Sequence, residues 1–135
     1  MKHLLLTTIA AVLLVGCAKP PPPDISIHSA TENGNIKAVK QHLAAGTDVN
    51  AKDDFLGWTP LHYTAASGNR QITKLLISKG ANVNEINSNN DTPLDIAALT
   101  FGIETSKQRS NLTQTADLLR KHGGKTSEEL KAEGK

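Results

Sequence analysis

A four-residue phrase that occurs twice constrains the fold of this chain more than any other feature. T-P-L-H stands at 59–62, and a near copy, T-P-L-D, stands at 92–95. At almost the same offset, the segment at 27–35 also aligns with the segment at 61–69. Self-similarity at a fixed period of about 20–50 residues is the signature of repeat proteins. The sequence therefore predicts several copies of one small unit, which bury their apolar faces by stacking on one another.

Each unit has the residues of two short helices. Thr59 can cap the first helix with its hydroxyl, and Pro60 suits the first helical position because its missing N–H costs nothing there. Ile72, Leu75 and Leu76 have the i, i+3, i+4 spacing of an apolar stripe on a second helix. A glycine then follows, in the left-handed conformation that commonly ends a helix. We assign these structural roles to Thr59, Pro60, Thr92, Pro93, Gly46, Gly80 and Gly123.

The period, the T-P-L-H phrase and the small residues after it, Thr64 and Ala65, resemble the ankyrin repeat. The resemblance implies an all-α fold, a short solenoid of about three helix–turn–helix units with β-hairpin fingers between them. An insertion near 99–112 is polar enough to be a loop. It is either a surface insertion that the fold tolerates or a loop that contacts a partner. The polar tail at 124–135 is expected to be a short helix or disordered. The units are expected at 24–50, 51–84 and 85–123.

The N-terminal residues indicate a lipid anchor. After Lys2, an apolar run too short to span a membrane comfortably has the character of a signal peptide. The only cysteine, Cys17, follows Leu-Val-Gly, which resembles the lipobox of bacterial lipoproteins. The resemblance implies a signal peptide at 1–16, an acylated Cys17 and a proline-rich tether at 17–23. Ala18 after the cysteine favours the outer membrane over the inner one, with the domain facing the periplasm. The alternative is a plain secretory signal.

Composition and motifs argue against several classes of function. Lys and Arg number 15 against 13 Asp and Glu, and no basic stripe is visible, so we expect no nucleic-acid partner. No nucleophile-elbow, zinc-protease or phosphate-loop motif occurs. Asp53 and Asp54 form an acidic pair on a finger, where we expect water to solvate both carboxylates. We expect no enzyme activity, no cofactor and no metal.

His62 aligns with His28 in the first unit and with Asp95 in the third. An imidazole or a carboxylate three residues after a capping threonine can hydrogen-bond back to the helix start. We therefore assign a structural role to His28, His62 and Asp95. A zinc site made by the two histidines is disfavoured, because adjacent helices lie about 8–10 Å apart.

The finger at 52–60 concentrates the aromatic residues of the chain. Phe55, Leu56 and Trp58 stand where the finger at 85–93 has polar residues. The alternative is a structural role, in which these side chains pack inward and cover the stacked repeats. The sequence predicts a monomeric, non-catalytic module that binds an envelope protein. The alternative is that the chain serves a periplasmic enzyme or toxin as an inhibitor, immunity protein or protective cofactor. The candidate partner-binding residues are Asp54, Phe55, Leu56, Trp58, Tyr63, Asn87 and Asn89.

Overall fold

The computed structural model describes residues 19–99 and 105–135. Within these ranges every regular element is a helix and no residue forms a strand. The all-α fold class predicted from the sequence is therefore confirmed. The helices are α1 (Ile27–Glu32), α2 (Ile36–Ala44), α3 (Pro60–Ser67), α4 (Arg70–Ser78), α5 (Pro93–Ala98), α6 (Ser106–Lys121) and α7 (Ser127–Ala132).

The helices form two layers. An inner layer is formed by α1, α3 and α5, in which α3 contacts both neighbours. Each inner helix also packs against its own outer partner, α2, α4 or α6. Leu61, Ile72, Leu76, Leu94 and Leu119 are almost completely buried between the layers. They come from different units, so stacking creates a core that no single unit could form.

Side-chain caps fix where the inner helices begin. Thr92 Oγ1 accepts a hydrogen bond from the Asp95 N–H at 3.2 Å, and the Thr92 N–H donates to Asp95 Oδ2 at 2.9 Å. The same reciprocal pairing joins Thr126 and Glu129 at the start of α7. This local pairing satisfies backbone donors that a helix start otherwise leaves without partners.

Glycines follow the outer helices. Gly46, Gly80 and Gly123 have φ of 86°, 87° and 85°, in the left-handed region that favours glycine. Gly68, between α3 and α4, has φ of 68° and is buried against α6. These glycines let the chain reverse direction within one or two residues.

The fingers differ from the expected β-hairpins. The first is closed by a hydrogen bond from the Asp53 N–H to the Trp58 carbonyl oxygen at 2.9 Å, and the second by one from Asn87 to Asp91 at 3.0 Å. Only a tight turn lies between the bonded residues, so there is no room for paired strands. Both fingers are turns closed by side-chain and backbone hydrogen bonds.

Helix α6 begins inside the predicted insertion, so the expectation of a loop across 99–112 is wrong for its second part. Thr105 caps the helix, because its side chain accepts a hydrogen bond from the Gln108 N–H at 3.2 Å. Leu112, Thr115 and Leu119 then continue one buried stripe at helical spacing. The polar residues of the insertion occupy the solvent side of this helix. Residues 100–104 of the insertion lie outside the described part of the chain.

Helix α7 extends the stack beyond the third unit. The Ser127 N–H donates to Asp95 Oδ2 at 2.9 Å, and the Thr92 hydroxyl donates to the Lys125 carbonyl oxygen at 2.8 Å. These bonds dock α7 beside α5. None of its residues is fully buried, so it presents a polar outer face at the end of the stack.

Candidate protein-binding surface

Phe55 forms the tip of the first finger and is the most exposed large apolar side chain in the described part of the chain, at 88%. Asp53 holds the turn beneath it. Asp53 Oδ1 accepts hydrogen bonds from the backbone N–H of Phe55 at 3.0 Å and of Leu56 at 2.7 Å. The aromatic ring therefore projects into solvent from backbone that is fixed.

Tyr63 braces this turn from α3. Its hydroxyl donates to Asp53 Oδ2 at 2.6 Å. Burial and the hydrogen bond to the Asp53 carboxylate raise the pKa of Tyr63 to about 12. Burial opposes ionisation of Asp53, but the hydrogen bonds from Tyr63, Leu56, Phe55 and Trp58 outweigh it and lower the pKa of Asp53. At neutral pH the pair is a neutral phenol bound to a carboxylate, and the brace persists.

Trp58 lies at the base of the finger. Its ring is half-buried against the core, 5.1 Å from the Tyr63 ring in an edge-on arrangement and 6.1 Å from the His62 ring. Its Nε1 is buried without a hydrogen-bond partner among the described residues. Trp58 therefore packs inward, as in the structural alternative, whereas Phe55 stays exposed to solvent.

The two fingers are joined to each other. The Ser88 N–H donates to the Leu56 carbonyl oxygen at 2.9 Å. Lys52 Nζ forms an ion pair with Glu85 Oε1 at 2.9 Å and donates to the Ile86 carbonyl oxygen at 2.9 Å. Leu56 itself is half-buried. The second finger therefore supports the first at its base.

Asn87 is not at a contact surface, so its assignment as a partner-binding residue is wrong. It is only 5% exposed, and its Oδ1 accepts hydrogen bonds from Asn89 at 2.8 Å and Asp91 at 2.9 Å. Asn87 thus repeats, in the second finger, the part that Asp53 plays in the first. Asn89 and Asp54 are exposed at the finger tips.

The sequence reasoning overlooked Asp53 because it treated Asp53 and Asp54 as a solvated pair. The T-P offset of 33 places Asp54 over Asn87. Counted from the V-N phrases at 49–50 and 83–84, which lie 34 residues apart, Asp53 aligns with Asn87 instead, and both are residue types that stabilise turns by accepting backbone hydrogen bonds. That alignment is the signal that could have separated Asp53 from Asp54.

His62 is fully buried at the start of α3. Its Nδ1 accepts a hydrogen bond from the Thr59 N–H at 3.1 Å, which assigns the ring proton to Nε2, and Nε2 donates to the Asp91 carbonyl oxygen at 3.1 Å. Burial lowers the pKa of His62, against smaller opposing effects. The neutral ring joins its own helix start to the next finger.

His28 likewise bonds to the finger that follows its own unit, but at the start of that finger. Its Nε2 lies 2.7 Å from the Ala51 carbonyl oxygen, at the base of the first finger. Asp95 instead binds α7 through Ser127. Within residues 19–99 and 105–135, no three histidine, cysteine or acidic side chains gather closely enough to hold a metal ion.

Charge divides the surface into two sides. The outer helices and Lys79, which caps α4, carry nine basic residues and one acidic residue, Asp117. The inner helices and the finger segments at 45–59 and 80–92 carry seven acidic residues and one basic residue, Lys52. The expectation that the chain has no basic stripe is therefore wrong. Its cations are dispersed in the sequence, and stacking brings five of them to the grooves between the outer helices: Lys40, Arg70, Lys74, Lys79 and Lys121.

In the described part of the chain, no helix is both long enough and apolar enough to cross a bilayer. Cys17, the predicted signal peptide and the beginning of the tether lie outside the described residues, whereas Lys19 to Pro23 of the tether lie within them. Lys19 contacts the first unit, because its side chain lies against Gly46.

Comparison with known proteins agrees with this architecture. A family model described as ankyrin repeats (3 copies) matches residues 27–124. The chain is 40% identical over 76 residues to the 2-5A-dependent ribonuclease of Mus musculus, and the aligned region covers 56% of this chain and 10% of that protein. It is 47% identical over 74 residues to a transient receptor potential cation channel subfamily A member 1 homolog of Caenorhabditis elegans. That aligned region covers 53% of this chain and 6% of the channel homolog.

The chain is also 37% identical over 71 residues to protein phosphatase 1 regulatory subunit 27 of Homo sapiens, covering 53% of this chain and 46% of that protein. It therefore spans less than half the length of each of these three relatives. Only the repeat region is shared with the relatives that have enzyme names. The stacked helix pairs and the family match together show that this chain belongs to the ankyrin-repeat family, whose repeats typically mediate protein–protein interaction without catalysis.

Proposed function

We propose that this chain is a non-catalytic interaction module that binds a partner protein through the Phe55 finger and the adjoining exposed face of the inner helices. The observation that carries this proposal is the exposure of Phe55, at 88%, on a finger whose base is held by Asp53, Tyr63 and Trp58. Aromatic side chains are favoured anchors in protein interfaces. A finger ordered before binding loses little conformational entropy when a partner docks.

The charge around the finger defines the chemistry of the partner. Asp54 is exposed beside Phe55, and the fingers and inner helices carry an excess of acidic residues. We expect the partner to offer an apolar pocket for the Phe55 ring within a basic surface, because complementary charge steers association and fixes register. Three units provide a modest contact area, consistent with a weak or transient complex.

Affinity capture tests this surface with a matched pair of variants. The full chain, Phe55→Ala and Glu128→Ala would each be immobilised and exposed to envelope extract from the native cell. Phe55→Ala should weaken capture of the principal bound protein by about tenfold or more, whereas Glu128→Ala, at an exposed position on α7, should change it little. Both side chains are exposed, so neither change should disturb folding. Equal capture by all three chains would contradict the proposal.

We infer further that the chain is anchored by lipid to a bacterial membrane and faces the periplasm. Support comes from the sequence around Cys17, which resembles a lipobox, and from the prolines that follow it. Two or three acyl chains would give a firm anchor. A rigid binding surface held at a membrane has a raised effective concentration for other envelope proteins.

Replacement of Cys17 by serine tests the anchor. The variant should leave the membrane fraction of the cell and lose the mass of the acyl chains, because serine at this position offers no thiol for lipid attachment. Phe55→Ala is the control and should stay in the membrane fraction. A Cys17→Ser chain that remains membrane-bound with its mass changed only by the substitution would contradict acylation as the anchor.

A further inference from the structure

Five basic residues on or next to the outer helices line two adjoining grooves of the stack. Lys40 and Lys79 line a shallow groove between α2 and α4. Arg70, Lys74 and Lys121 line the next groove, between α4 and α6. All five side chains are exposed.

These cations are not neutralised within the described part of the chain. Of the nine basic residues on this side, only Arg120 forms an ion pair there, with Glu129 at 3.3 Å. The remaining eight have no acidic partner within ion-pair distance among the described residues. Their charge is therefore available to an anionic surface that approaches the outer helices.

The chain enters the stack beside this same layer. Lys19, two residues after Cys17, lies against Gly46 at the end of α2. His42 of α2 then holds the incoming backbone, because its Nε2 lies 2.6 Å from the Ile25 carbonyl oxygen. The segment that leads from the N-terminus thus contacts outer helix α2 and the residue that follows its end.

We propose that the outer face of α2, α4 and α6 docks on the anionic headgroups of a lipid bilayer, so that the acidic fingers and Phe55 face away from the lipid. The charge complementarity is direct, since each Lys or Arg near an anionic membrane raises the affinity by about fivefold. The proposal depends on the proposed lipid anchor in one respect only, because the anchor is what would hold the chain next to a membrane in the cell. The affinity of the face for anionic lipid is independent of acylation.

A bilayer fits this face better than a single-stranded nucleic acid does. Proteins that bind single-stranded nucleic acids combine basic grooves with aromatic side chains that stack on bases. Helices α2, α4 and α6 contain no Phe, Tyr or Trp. The cations are instead spread over three neighbouring helices, which suits a broad surface of fluid headgroups.

Vesicle binding tests the proposal on the full chain carrying Cys17→Ser, from which acyl chains are absent. Binding to phosphatidylcholine vesicles measures the charge-independent contribution, including that of the apolar N-terminal run. Adding phosphatidylglycerol to the vesicles should raise the affinity, and high salt should remove the increase. Binding of a DNA duplex is measured at the same salt concentration.

A matched pair of charge reversals locates the effect. Lys40→Glu with Lys74→Glu should lower the affinity for the phosphatidylglycerol vesicles by about tenfold or more. Lys131→Glu with Lys135→Glu makes the same change in net charge on the other side of the last unit and should lower it by less than about threefold. All four lysines are exposed, and an unchanged thermal midpoint verifies that each variant is folded.

The membrane-docking proposal fails if phosphatidylglycerol does not raise the affinity, if the two double variants lose it equally, or if DNA binds more tightly than the anionic vesicles. Phe55→Ala should bind the vesicles as the parent chain does. Loss of vesicle docking with Phe55-dependent capture intact would overturn the face assignment alone. The reverse result would overturn the finger proposal alone.

Discussion

Replacement of Gly68 by alanine should lower the free energy of unfolding by about 2–5 kcal/mol, whereas the same change at Gly80 should lower it by about 1–2 kcal/mol. Both glycines have a positive φ, 68° and 87°. They differ in surroundings, since a Cβ at Gly68 would lie 3.0 Å from Asn111 Cβ and 3.2 Å from Leu112 N. A Cβ at Gly80 would have no other atom within 4 Å.

The comparison isolates the packing of α3 against α6. Adding one methyl group restricts the unfolded chain in the same way at both positions, so that effect cancels in the difference. Denaturation of the full chain in urea measures both free energies of unfolding. Equal losses at Gly68 and Gly80 would mean that the insertion leads into α6 by a different path and that Asn111 does not lie against Gly68.

Replacement of His62 by alanine should lower the free energy of unfolding by about 2–4 kcal/mol, because it leaves the buried Thr59 N–H without its acceptor and opens a cavity. His28→Ala is the matched control and should cost about 1 kcal/mol. His28 is only partly buried, so water can replace its bond to the Ala51 carbonyl oxygen. Thermal or urea unfolding measures both, and equal losses would contradict the role assigned to the His62 cap.

Stability should also fall as the pH drops through about 6.5, the ordinary pKa of histidine in the unfolded chain. Burial lowers the pKa of His62 in the folded state, so between that lowered pKa and 6.5 the unfolded chain binds more protons. The neutral ring therefore contributes fully above pH 6.5 and progressively less below it. Asp53 and Glu85, whose pKa values are also lowered, act only below their ordinary values of 3.8 and 4.5.

His62→Gln verifies this assignment, since glutamine keeps hydrogen-bonding capacity but does not titrate. The decrease in the thermal midpoint between pH 7.5 and pH 5.5, either side of the ordinary histidine pKa, should be smaller in the variant than in the parent chain. The same decrease in both chains would assign the pH dependence to other groups.

The repeat architecture could be predicted because its signals are local and periodic. Thr92 and Asp95 need only the three-residue spacing of a helix start, and Gly80 needs only its own backbone freedom. Burial of Leu61 and Leu76 follows from the apolar spacing of the units. These residue types recur at the repeat offset, so a role assigned in one unit predicts the role of the aligned residue in the next unit.

The rest of the candidate site depends on interactions between units. Asn87 is a common exposed polar residue by type, and only the folded finger turns its amide oxygen toward the Asn89 and Asp91 amides. Lys40 and Lys74 lie one repeat apart in the sequence and become neighbours on one face only after stacking. Charge counted along the chain cannot show such a face.

Photo-crosslinking in living cells tests the central claim most directly. A photoreactive residue would be placed at Phe55, with Glu128 on α7 as the exposed control position. If the Phe55 finger is the contact surface, position 55 gives a discrete adduct with one envelope protein and position 128 does not. No adduct at position 55, or adducts of equal yield at both positions, would contradict the claim that this finger binds the partner.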